Sequence, residues 1–248
     1  MTQEVDLNSF LISIGFGFPE TPEQLKDFNE AHKDFSFEAD EYSIDPDKIY
    51  KAAKAKKKST KTGEVAGVEY HKRTVLAAEI VFQLHEEWSM GHLKLQKLIY
   101  LCQNVAKMSI HVNFLKQAMG PYDPVLMRSL DKQLKQQKWF AFNQNNTPKY
   151  LPLENIGGHR EWYERYYSDN LTEIDFIINL FKKMKTSQVE LVATIYACWL
   201  EIIKNNEVFS EDLIVTKVYA WSEQKAKFTE GEIKNCIDWM VGKGIYPS

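Results

Sequence analysis

Residues 187–203 read SQVELVATIYACWLEII, a run that opens on a capping signal and then stays apolar on almost every side of a helical period. Ser187-x-x-Glu190 is the capping box, and Val192, Ile195, Tyr196, Trp199 and Ile203 follow it. A helix that is apolar all round has to be covered on all sides. The pattern therefore predicts a central core helix with other helices packed about it.

The rest of the chain supplies those helices. From Tyr70 onward Ala77, Val81, Leu84 and Trp88 mark one helical face, and Gly91 breaks it. The next helix turns Leu95, Leu98, Cys102 and Val105 inward, with Lys94, Lys97, Asn104 and Lys107 outward. Gly120-Pro121-Tyr122-Asp123-Pro124 reads as a turn, and Leu126, Leu130 and Leu134 form a single stripe after it. Residues 158–168 and 171–185 carry two more helices, the second with Ile174, Ile177, Ile178, Phe181 and Met184. Ser210 stands as a cap before Glu211, and Thr229-x-x-Glu232 is a further capping box. Strand signals are confined to Trp139-Phe140-Ala141-Phe142 and Tyr150-Leu151-Pro152-Leu153, which read as a short hairpin.

The N-terminal part differs in character. Thr21-Pro22-Glu23-Gln24 and Asp45-Pro46 are helix starts. A run of Lys51, Lys54, Lys56, Lys57, Lys58 and Lys61 follows, which suits a solvated linker or a nucleic-acid arm. The expected fold is mostly α: a compact multi-helix domain with one short β-hairpin at about 139–153 and an N-terminal helical appendage. Its expected parts are the appendage and linker at 1–62, a helical domain at 63–186, and a three-helix extension at 187–248 packed on the same core.

With 248 residues, 44% hydrophobic and 26% charged, the chain has enough apolar material for a sizeable core. No apolar run approaches the roughly 20 residues that span a bilayer, so no membrane is expected. Cys102, Cys198 and Cys236 are few, odd in number and scattered. That pattern fits a reducing compartment and predicts a cytoplasmic protein.

Motifs that carry chemistry are missing. His85-Glu86-Glu87-Trp88 is not a zinc-binding helix, and no CxxC pair occurs. Gly15-Phe16-Gly17 lacks the third glycine of a dinucleotide loop, and neither a phosphate loop nor a nucleophile elbow is present. The reading is a non-enzymatic protein with no cofactor, no metal and no small-molecule substrate.

Two features point to a macromolecular partner. Residues 91–139 hold eight basic side chains (Lys94, Lys97, Lys107, Lys116, Arg128, Lys132, Lys135 and Lys138) against Asp123 and Asp131, a net of +6. Such a stretch faces an acidic protein or a phosphate backbone, or it forms the solvated faces of two core helices. The C-terminal end is rich in aromatics: Trp199, Tyr219, Trp221, Phe228, Trp239 and Tyr246. They are chiefly core, and any that stay exposed are candidate anchors of a protein interface. The last three helices also invite a helix-turn-helix reading, with Lys234 and Asn235 as the groove-facing pair.

Leu93-Lys94-Leu95-Gln96-Lys97-Leu98-Ile99-Tyr100, followed about twenty residues on by Gly120-Pro121 and another helix, resembles the Panacea domain. This antitoxin-associated family, which includes phage proteins, typically shows a K-L-Q-K-L-L-Y helix and a Gly-Pro turn. The resemblance covers roughly residues 90–200. Tyr122-Asp123-Pro124 departs from the small aliphatic residue often found after Gly-Pro, and Trp221-Ser222-Glu223-x-Lys225 looks like a separate extension. The resemblance implies a helical domain that neutralises a toxin by direct binding, without a cofactor. The positions it carries over are Lys94, Gln96, Lys97, Tyr100, Gly120 and Pro121, with Lys94, Lys97 and Gln96 left for a partner or for solvent. The expected function is thus an antitoxin-like or phage-defence-associated protein that binds and neutralises a partner protein. The alternative is a DNA-associated accessory protein or transcriptional regulator.

Overall fold

In a computed structural model of the chain, residues 67–247 are described apart from 111, 113 and 144–148. All of them belong to one compact unit, Lys56–Ser248. The helices expected from Thr21 and Asp45, and the lysine run at 51–61, lie outside the described residues.

Eight α-helices occur among the described residues: α1 (Gly67–Leu84), α2 (His92–Val105), α3 (Pro124–Gln136), α4 (Arg160–Tyr166), α5 (Leu171–Phe181), α6 (Thr186–Lys204), α7 (Glu211–Tyr219) and α8 (Glu230–Gly242). Two antiparallel hairpins accompany them, β1 (Leu115–Gln117) with β2 (Gly120–Tyr122) and β3 (Phe140–Asn143) with β4 (Lys149–Pro152). The mostly α expectation holds, as does the hairpin at 139–153. The β1–β2 hairpin is an addition that the sequence patterns did not announce.

α6 is the core helix its composition demands. Its residues from Gln188 to Tyr196 are buried without interruption, and it packs against α2, α7, α8 and β2. α2 has the same character, buried from Lys94 to Cys102. α1 covers the other side of α2 and contacts α3, α4 and α5.

Local signals place the helix ends. Asp123 accepts from the backbone N–H of Val125 and Leu126 and so caps α3, with Pro124 in the first turn. Ser210 accepts from Leu213 N–H at the start of α7, and Thr229 and Glu232 form the reciprocal box that opens α8. The box expected at Ser187 and Glu190 is displaced: α6 begins at Thr186, and Gln188 Oε1 accepts from Lys185 N–H at 2.7 Å. Glu190 is released for another task. The apolar pattern of α1 also stops early. Leu84 ends the helix and Trp88 falls in the following loop, 65% exposed.

Candidate functional site

α2 buries nine consecutive residues, three of them polar or charged: Lys94, Gln96 and Lys97 have no exposed surface. Helical periodicity placed Lys94 and Lys97 on the outside, and that expectation is corrected here. A buried ammonium or amide survives only when its hydrogen-bonding groups find partners, and the fold provides them.

Lys94 reaches into the junction of two loops. Its Nζ donates to Ser89 Oγ at 2.8 Å, to Lys182 O at 2.9 Å and to Met184 O at 2.7 Å. Ser89 Oγ in turn donates to Met184 O, and Thr186 Oγ1 donates to Ser89 O. All three donors of the ammonium are therefore satisfied, and the α1–α2 and α5–α6 loops are fastened together. Burial is the main force that lowers the Lys94 ammonium to about 8, opposed by the charge of Glu87 and aided by Lys183.

Gln96 and Lys97 act one turn further on, against the Gly-Pro segment. Gln96 takes both backbone groups of Asp123: its Nε2 donates to Asp123 O at 2.6 Å, and its Oε1 accepts from Asp123 N–H at 2.8 Å. Lys97 Nζ donates to Pro121 O at 2.6 Å and lies 5.8 Å from the centre of the Tyr122 ring. Gly120 sits at φ +92°, where a side chain is strained, and a Cβ there would stand 2.8 Å from Thr194 Oγ1 and 3.4 Å from Lys97 Nζ. Only glycine lets the turn approach α6 and α2 this closely. Tyr100, the last motif residue, is nearly buried, edge-on to Phe114 and Tyr196, and burial pushes its hydroxyl pKa up.

The structure thus gathers Gln96, Lys97, Tyr100, Gly120 and Pro121 around the β1–β2 turn, while Lys94 serves the neighbouring loop junction. It also adds residues that sequence reasoning missed. Glu190 is buried in α6 and receives Lys225 and, at 3.0 Å, Lys227. Lys225 is fully buried as well. Lys97 stands near this pair: burial lowers its ammonium to about 7, with Glu190 pulling up and Lys225 pushing down. Trp221 Nε1 donates to Gln117 O at 2.7 Å and Ser222 Oγ to Ala118 O at 2.9 Å, so the 221–227 segment grips the same hairpin. One signal was available in the sequence: Glu190 stands between Val189 and Leu191 at the start of a mainly apolar run.

With Lys94 and Lys97 internal, the outward basic charge falls to other residues. Lys132 and Lys135 are exposed on α3 and Lys138 on the turn that follows, with Arg128 half-buried one helical turn before Lys132. The acid of α3, Asp131, is turned to His92 Nε2 at 2.9 Å and to the Tyr150 hydroxyl at 3.1 Å. Among the described residues no carboxylate pairs with Lys132, Lys135 or Lys138. Of the C-terminal aromatics, Tyr219 and Tyr246 are exposed, whereas Trp199, Phe228 and Trp239 are buried and Trp221 is half-buried.

The three thiols are free and buried; burial pushes Cys198 up to about 12 and raises Cys102 and Cys236 further. Among the described residues no cluster of three His, Cys, Asp or Glu side chains is placed to hold a metal ion, and no helix is long and apolar enough to cross a membrane. Compared with protein-family models and with curated proteins, the chain matches none of them.

Proposed function

We propose that this protein binds and neutralises a partner protein, in the manner of an antitoxin of the Panacea-like kind. The observation that carries the reading is the exposed lysine row Lys132, Lys135 and Lys138, on and just after the helix that the Gly-Pro turn launches. The motif residues support it indirectly. Gln96 and Lys97 hold the backbone of Pro121 and Asp123, and Asp123 caps α3, so the motif sets the position of the lysine-bearing helix. A rigid, uncompensated basic row suits an acidic protein surface, where charge complementarity speeds encounter and sets register. No step of chemistry and no cofactor enters this reading.

A phosphate backbone would meet the same row. The C-terminal helices lend little to a DNA reading, because Lys234 is engaged by Asp212 at 2.8 Å and by Glu230 at 2.7 Å. The test is a pull-down of the tagged full chain from the cells that encode it, with and without nuclease. A single stoichiometric protein that survives nuclease supports the proposal. Recovery of DNA, or of proteins lost on nuclease treatment, overturns it in favour of the regulator.

A further inference from the structure

The β1–β2 turn closes over Lys97, and the 221–227 segment grips that turn. At the hairpin's tip, Trp221 and Ser222 hold the carbonyl groups of Gln117 and Ala118, and the Lys116 ammonium lies 4.9 Å from the Trp221 ring centre. At its base, Lys97 holds Pro121 and Gln96 holds Asp123. The 221–227 segment is tied down in turn by Lys225 and Lys227 on Glu190. These ties are polar and converge on one small region.

The charges in that region do not balance. Lys225 and Lys227 from the 221–227 segment bring two amino groups to one carboxylate, Glu190 of α6, and Lys97 of α2 lies near enough to be pulled up by Glu190 and pushed down by Lys225. Thr194 Oγ1 donates to Glu190 O and so offers Lys97 no counter-charge. β2 contributes Tyr122, whose hydroxyl burial pushes up to about 12 and which therefore stays neutral. Lys94 has three acceptors for its three donors, whereas among the described residues a single acceptor, Pro121 O, receives Lys97.

We propose that the β1–β2 turn and the 221–227 segment form a latch over the Lys-Gln motif, and that protonation of Lys97 loosens it. A proton on Lys97 adds a full charge beside Lys225 with one carboxylate to share, in a place that water does not reach. Opening hands that charge to solvent, so acid favours the open latch and alkali the closed one. The depressed Lys97 value puts the change above about pH 7. In the open form Lys97, Gly120 and Pro121 come to the surface.

Hydrogen exchange of the full chain, read by mass spectrometry from pH 6 to 9.5 and corrected for the intrinsic chemical rate, tests this without any partner. A failure here is therefore distinct from a failure of the proposed function. Peptides covering 115–123 and 221–228 are expected to open more readily than α1. Their opening constant should grow by up to about tenfold per unit of falling pH, levelling below about 7. Lys97→Met should flatten that dependence. Should that variant not fold, Lys225→Met serves in its place, because it leaves Glu190 to tolerate the Lys97 proton and should weaken the dependence. A pH-independent opening in the unaltered chain overturns the latch, as does exchange of these peptides with the same protection as α1.

Discussion

Lys94 and Lys97 stand three residues apart on one helix, equally buried, yet they are held in different ways. Lys94 satisfies three oxygens of two loops. Lys94→Met keeps the stem and removes all three bonds, leaving Met184 O only the Ser89 hydroxyl, at a cost of about 2–4 kcal/mol by denaturant unfolding at pH 7. Lys97 has one acceptor and a competing positive neighbour, and its effect depends on pH. The unfolded chain keeps the Lys97 proton up to about 10.5, and the folded chain gives it up near 7. Between these values the unfolded state binds more protons, so this group makes stability rise with pH, by up to about 1.4 kcal/mol per unit, and contributes no slope below about 7. Comparing unfolding curves of the unaltered chain and Lys97→Met at pH 6 and pH 9 isolates the contribution: the unaltered chain should gain on the variant as pH rises. Gly120→Ala is sterically barred by φ and by Thr194, and should cost about 2–3 kcal/mol in the same assay.

At the scale of elements, what the sequence could show depended on whether the signal was local. α3 was readable because the leucine stripe Leu126, Leu130 and Leu134 follows one period after a Gly-Pro turn, and the caps at Ser210 and Thr229 were readable because each is closed within three residues. The β1–β2 hairpin was not, since strands of three residues carry no alternation and the turn is held by α2 and the 221–227 segment rather than by its own residues. Trp88 misled for a related reason: it continues an apolar pattern past the end of α1, where the loop bends to meet Met184 through Ser89. Because the outer stripe of α3 makes no contact that the fold needs, replacing Lys132, Lys135 and Lys138 together by Glu should leave unfolding within about 0.5 kcal/mol per site. A larger loss would mean that the row is structural.

For the molecule as a whole, the candidate site is a place where four segments from different parts of the chain meet. The motif on α2, the Gly-Pro turn, the core helix α6 and the 221–227 segment are far apart in sequence and are joined by Lys97, Glu190, Lys225 and Trp221. The motif residues of the site, Lys94 to Tyr100 and Gly120-Pro121, were legible in the sequence, but the direction they face was not. Periodicity assigns a lysine to water by default, and nothing local announces that carbonyl groups from residues 121, 182 and 184 await it. Glu190 was misread for the same reason, as the cap its spacing allows rather than the counter-charge its neighbours require. The motif that suggested a binding surface is thus internal framework, and the exposed lysine row on and just beyond α3 is the surface that the proposed function uses. The most direct test is calorimetric titration of the captured partner with the unaltered chain and with the Lys132→Glu, Lys135→Glu, Lys138→Glu variant, both first shown to be folded. The account predicts affinity weaker by about tenfold or more in the variant, with the gap narrowing as salt is raised. An equal affinity for the two proteins would contradict it.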